Sequence, residues 1–235
     1  MVILSPVRTP TPNPEPTQQS RRPRGRPPLP LDRIIAAAVA LLDEEGADAL
    51  SMRNLAQRLD SGTATLYRHF TGRAQLVARV VDSVLAEAHV DDEALAGMSW
   101  QEACELLARS LFDAFRRHPN VAPLLVEQIP TGPNAMRQRE QSIALLLRSG
   151  FAPAMAAQAC ATLARYVLGF ATQLPSASSD TADDNEVWEH LDPQTLPAIA
   201  SVADHLPVPL EQEFGFGLTL LIAGLSQLTR SNGSD

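Results

Sequence analysis

Between Thr63 and Phe70 the chain sets hydroxyl, aromatic and guanidinium groups at helical spacing. Thr63, Ala64, Tyr67 and Arg68 share one face, and Leu66 and Phe70 fall at i,i+4 on the other. Such groups donate and accept hydrogen bonds and stack, but they make no nucleophile or acid–base pair. A short helix with one apolar face and this polar one suits the major groove of DNA. The residues alone leave a second reading equally open, an αα-hairpin buried in a helical core. Elsewhere the chemistry is sparse. Cys104 and Cys160 are far apart and match no metal spacing, five His are scattered singly, and no nucleophile motif occurs. No enzyme, metal or cofactor is expected, and both thiols are read as free and buried rather than as a disulfide or sensor.

The helix at 63–70 needs supports, and the flanking sequence supplies them. Ser51 is placed to cap a helix whose Leu55, Ala56 and Leu59 form one stripe. Asp60-Ser61-Gly62 then interrupts the pattern with residues suited to a tight turn, Asp and Gly tolerating positive φ. A preceding helix, 31–45, carries Ile34, Ile35, Ala38, Leu41 and Leu42 and ends at Gly46. A following one, 71–89, runs through Leu76, Val80, Val84 and Ala88. Its start offers free N–H groups to phosphate, and its far end reaches the rest of the chain.

Thr65-Leu66-Tyr67-Arg68-His69-Phe70, followed by Thr71-Gly72-Arg73 and Leu76, resembles the DNA-binding signature of the tetracycline-repressor (TetR) family. Ala49 to Ala56 is similar to that family's lead-in, and the likeness runs from about Gly25 to Val84. Three positions depart from the pattern: Asp60 replaces a turn Gly, Ser61 a buried Val or Ile, and Gly62 a capping Ser. The resemblance implies base-edge or phosphate contact by Thr63, Thr65, Tyr67 and His69. It also implies phosphate contact by Arg53 and Arg73, and packing of Ala64 against a base methyl. Ahead of this unit, Pro23-Arg24-Gly25-Arg26-Pro27 is similar to the AT-hook core. In that reading Arg24 and Arg26 enter a narrow A·T minor groove, whose potential attracts guanidinium. The alternative is a basic linker with nonspecific phosphate attraction.

Charge is distributed accordingly. Residues 1–80 hold 11 Arg against 7 acidic residues, whereas 81–235 hold 8 against 20, within a net charge of −8 and with no Lys anywhere. Residues 1–29, rich in Pro, Thr and Arg, read as a disordered arm. Residues 30–78 read as the DNA-binding domain and 79–235 as a helical effector-binding and dimerisation domain. The opening MVILSPV is too short for a signal segment, and 214–228 is too interrupted for a membrane span. A cytoplasmic, nucleoid-associated protein with no membrane contact is expected.

The larger domain begins after an acidic connector, 91–97. Trp100, Ala103, Cys104, Leu107, Leu111, Phe112 and Phe115 keep helical spacing up to Arg116-Arg117-His118-Pro119. Helices are expected at 121–126, 134–149, 153–173, 193–205 and 211–228, with an acidic mobile loop at 175–192 in which Trp188 docks or acts as a lid. The last helix, EQEFGFGLTLLIAGLSQL, resembles the final helix of TetR-family C-terminal domains. Its Gly215, Gly217 and Gly224 suit close approach of another helix. The pair 153–174 and 211–228 is expected to build a four-helix homodimer interface, the alternative being burial within one monomer. Pocket candidates are Trp100, Phe112, Met155, Tyr166 and Phe170, residue types that are more often core than ligand contacts.

The fold expected is therefore all-α, a three-helix helix-turn-helix domain followed by a larger bundle that dimerises. The function this implies is a ligand-responsive homodimeric repressor, released from a palindromic double-stranded operator by a small molecule. The alternative is an architectural, A·T-preferring DNA-binding protein without an effector. No metal-binding side-chain set supports a tetracycline–Mg²⁺ complex.

Overall fold

The computed structural model describes residues 29–126, 129–174, 192 and 194–231, and every regular element among them is helical. Helix α1, Leu31–Glu45, buries Ile34, Ala38, Leu41 and Leu42 and stops where the Gly46 N–H bonds the Leu42 carbonyl at 2.9 Å. A 3-10 turn, Ala47–Ala49, leads to α2, Met52–Arg58, which Ser51 caps by accepting the Asn54 N–H at 3.1 Å. Helix α3, Thr63–Leu66, is shorter than the expected run to Phe70. The Leu66 carbonyl takes both the His69 and Phe70 N–H groups at 2.9 Å, the tightening by which helices often end.

Helix α4, Arg73–Ala86, joins this head to the rest. The connector at 91–97 contains a one-turn helix, α5 (Asp92–Leu95), pinned by buried Leu95. Helix α6, Trp100–Arg117, opens with a Ser99–Glu102 capping box and buries Ala103, Cys104, Ala108, Phe112, Ala114 and Phe115. The helix expected at 121–126 is a 3-10 segment, Pro119–Leu125, with Pro123 inside it and no N–H there to continue an α-helical ladder. Helices α7 (Pro133–Arg148) and α8 (Pro153–Ala171) follow.

The helix expected at 193–205 divides into α9, Pro197–Ala200, and a 3-10 turn, Ala203–His205. Neither buries a residue, so no packed face holds them as one rod. Helix α10, Leu210–Ser231, is the last described element. One apolar core runs from Ile34 and Leu55 through Leu76 and Val80 to Phe112, Leu146, Phe214 and Leu218. Head and body thus meet along α4. The arm with Arg24 and Arg26, and the loop with Trp188, lie outside the described residues.

Candidate nucleic-acid interface and effector body

The outward face of α3 gathers most of the side chains singled out for DNA contact. Thr63, Ala64, Tyr67 and Arg68 are exposed, Thr65 and His69 are half-buried, and Leu66 and Phe70 turn into the core. Tyr67 is 57% exposed. Arg53 lies exposed on α2. Of the two residues expected to relieve the turn, Asp60 adopts positive φ (46°), whereas Gly62 is extended at φ −80°. Gly62 caps α3 without a side-chain bond, and the hydroxyl of Ser61 is shut off from solvent with no hydrogen-bond partner among the described residues.

Arg73 is placed differently from the expectation. Its Nε donates to the Leu50 carbonyl at 2.7 Å and a terminal nitrogen to the Ala47 carbonyl at 3.0 Å. The guanidinium therefore ties the start of α4 to the link between α1 and α2. Arg58 is similarly engaged, 2.5 Å from Glu44 and 3.8 Å from Glu45 on α1. The Arg58 hydrogen bond holds the Glu44 carboxyl below its ordinary range. Asn54 donates to the Ala49 carbonyl at 2.9 Å. The ties made by Arg58 and Arg73 are not legible in the sequence, because Arg58 and Glu44 are 14 residues apart and Arg73 and Leu50 are 23 apart.

A polar joint fastens head to body. His118 Nδ1 lies 2.8 Å from Asp43 Oδ2 on α1, and its Nε2 lies 3.0 Å from Glu87 Oε1 just past α4. Arg117 pairs with Glu87, and Asn120 donates to the Leu42 carbonyl at 2.9 Å.

In the body, three pocket candidates meet around one ring the sequence had not singled out for a pocket. Phe112 stacks on Phe214 at 4.2 Å and 12°, and Tyr166 faces Phe214 at 5.5 Å. Phe170 sits 4.9 Å from Tyr166 and edge-on to Phe214 at 5.7 Å. The Tyr166 hydroxyl donates to the Phe214 carbonyl at 2.6 Å, and burial pushes that phenol up. A Cβ on Gly217 would overlap the Tyr166 hydroxyl, so this glycine admits a side chain of α8 from within the same chain. Gly224 faces open space. Trp100 stands apart, edge-on to Phe151 at 4.9 Å, and Met155 packs half-buried on the core. Cys104 is buried and Cys160 half-buried, both free; burial pushes the Cys104 thiol up to about 11.

Helix α10 shows an apolar outer face, with Phe216 66%, Leu220 57% and Leu228 54% exposed. Among the described residues no three His, Cys, Asp or Glu side chains are grouped to hold a metal ion. No described helix is long and apolar enough to cross a membrane.

Residues 34–80 match the model of bacterial regulatory proteins of the tetR family, and residues 94–229 match that of the tetracyclin repressor-like C-terminal domain. The HTH-type transcriptional repressor DrrR1 of Streptomyces coeruleorubidus is 32% identical over 88% of this chain and 82% of its own length. The apo structure of ActR from Streptomyces coelicolor superposes with a TM-score of 0.76 at 33% identity, covering 87% of this chain and 98% of that one. ActR in complex with actinorhodin gives a TM-score of 0.74 at 33% identity, over 86% and 99% of the two chains.

Proposed function

This chain belongs to the TetR family of bacterial transcriptional regulators, and from that premise we propose how its own residues divide the work. It is a DNA-binding, ligand-responsive repressor of that family, and no enzymatic step is assigned to it. We divide it into an arm (1–29), a reading head (30–78) and an effector-binding, dimerising body (79–235). It acts in the cytoplasm, on the nucleoid. The observation that carries the residue assignment is the exposed face of α3, with Tyr67 turned outward beside Thr63 and Ala64.

In this reading Thr63, Thr65, Tyr67 and His69 meet base edges or phosphates, Ala64 meets a base methyl, and Arg53 meets phosphate. Arg73 braces the head first, and its guanidinium has limited capacity left for phosphate. Arg24 and Arg26 of the arm reach the adjacent minor groove. Two copies join through α8 and α10, burying Phe216, Leu220 and Leu228, so that two heads address half-sites roughly 34–36 Å apart or a multiple of that. The effector enters among Phe112, Tyr166, Phe170 and Phe214, with Trp100 and Met155 more remote. A stack of rings favours an effector with aromatic surface. ActR's complex with actinorhodin supports a small organic ligand in this body.

The test is selection of bound duplexes from a random pool, with the wild type, with Tyr67→Ala and with residues 1–28 removed. The expected result is a near-palindrome for the wild type and broad weakening by the Tyr67 change. Removing the arm should erase only the preference for flanking A·T. Recovery of A·T-rich sequences without paired half-sites would favour the architectural reading instead. An unchanged flank preference would remove the minor-groove role of the arm.

A further inference from the structure

We propose that Asp82 of α4 and the side-chain amides of Asn134, Gln138 and Gln141 on α7 form the strut through which the body fixes the attitude of α4, and with it the spacing of the two heads. The inference rests on the operator reading above and adds the residues that would enforce it.

Asp82 is the charged residue buried in the described core, at 5% exposure. A buried carboxylate is costly unless its oxygens are bonded. Here Oδ1 accepts the backbone N–H groups of Asn134 at 3.0 Å and Ala135 at 3.1 Å, and Oδ2 accepts the Asn134 amide at 3.1 Å. That amide also donates to the Asp82 carbonyl at 3.1 Å. All these bonds run to the first turn of α7, whose own N-cap, Gly132, has no side chain to offer. Asp82 thus caps α7 from another helix, satisfying N–H groups that a helix start leaves free. The fit is close, because a Cβ on Gly132 would collide with the Asp82 carboxylate.

The contact continues along α7. Gln138 donates to the Leu85 carbonyl at 2.6 Å, and Gln141 donates to the Val90 carbonyl and to Asp92 Oδ1, both at 2.8 Å. Positions 134, 138 and 141 share one helical face. Their acceptors at 82, 85 and 90 run along α4 and past its end. Leu85 lies in the last turn of α4, and its carbonyl accepts the Ala88 N–H at 3.2 Å as well as the Gln138 amide.

A seam of this kind differs mechanically from apolar packing. Side chains in an apolar contact can slide by small amounts, whereas a row of hydrogen bonds holds one register. Moving α4 against α7 would leave the Asp82 carboxylate unpaired inside the core. The two helices therefore move as one body. At its other end α4 holds the head by Arg73 on the Leu50 and Ala47 carbonyls. Helix α7 in turn packs on α6 and α8, which carry Phe112, Tyr166 and Phe170. Helix α4 thus carries polar ties at both ends, to α7 through Asp82 and Leu85 and to the head through Arg73.

The experiment uses the full-length chain and a duplex recovered from the random pool. Affinity is measured for the selected half-site spacing, for spacings changed by one base pair either way, and for a single half-site. The variants are the triple Asn134→Ala/Gln138→Ala/Gln141→Ala, which leaves the Asp82 cap on the backbone N–H groups, and the single Gln138→Ala in case the triple does not fold. The wild type should prefer its selected spacing at least tenfold. The triple should lose at least fivefold of that preference and the single about twofold, with single-half-site affinity unchanged. A merely structural role would lower thermal stability or active fraction without altering the ratio between spacings. Wild-type discrimination undiminished in a folded variant would overturn the strut while leaving the operator reading intact. Absence of any spacing preference in the wild type would overturn both.

Discussion

The reading head and the effector body solve opposite problems with the same helical material. The head exposes its chemistry: Tyr67, Thr63 and Ala64 face outward on a helix too short to stand alone, held by Leu66 and Phe70 beneath. The body hides its rings, with Phe112, Phe214 and Tyr166 stacked across three helices. Removing a side chain should therefore cost binding in the head and folding in the body. That contrast can be tested residue by residue.

The largest effect is expected at Phe214, 1% exposed and in ring contact with Phe112, Tyr166 and Phe170. Phe214→Ala should destabilise by about 3–5 kcal/mol, read by urea unfolding. A loss below about 1 kcal/mol would mean that the stack does not hold the body together.

The next effect sharpens the contrast through pH. Burial pushes the Cys104 thiol from its ordinary 9.0 up to about 11. Because the folded value is raised, the stabilisation is complete below pH 9 and is lost as pH climbs toward 11. Its full size is on the order of 3 kcal/mol. Chemical denaturation at stepped alkaline pH should show this loss, and Cys104→Ala should flatten it. A slope identical in both proteins would assign the alkaline loss to other groups.

Tyr67→Ala tests the other half. Loss of an exposed ring should leave the melting temperature within about 1 °C of wild type, as surface changes usually do. Operator affinity should fall by roughly tenfold or more, the value of one good base contact. A stability loss without a binding loss would make the ring a packing element.

The same contrast explains what could be read from the chain alone. Head residues act where they stand in sequence: the Ser51 cap, the Asp60 turn and the Leu66/Phe70 underside all lie within twenty residues. The boundaries of α1, α6 and α8 were legible for the same local reason, through stripes, caps and prolines. The joints were not. Arg73 was expected on phosphate because its place at a helix start is local information. Its carbonyl partners lie on the far side of two helices. Nothing in the local sequence marks Asp82, since its partners are 52 and 53 residues away. Phe214 lies in the apolar run of the last helix, and only packing reveals it as the centre of the stack. Three-dimensional neighbours decide such roles, and no periodicity encodes them.

The smallest prediction returns to the head, at the position where it departs from its family's pattern. Ser61 carries a hydroxyl shut off from solvent without a partner among the described residues, where resemblance places a Val or Ile. An unsatisfied buried hydroxyl costs about 1–3 kcal/mol, part of which is recovered when an apolar group of similar shape replaces it. A surface hollow lined by Gln57, Asp60, Gly62 and Thr65 borders the site, so the extra methyl of Ser61→Val has room. The exchange should stabilise the chain by about 1 kcal/mol, a rise of roughly 2–4 °C in melting temperature for a chain of this length. Operator affinity should stay level or improve slightly, because the turn holding α3 becomes better packed while its outward face is untouched. If the variant instead melts lower, the hydroxyl has a partner in solution, and the head is held at its turn by polar rather than apolar contact.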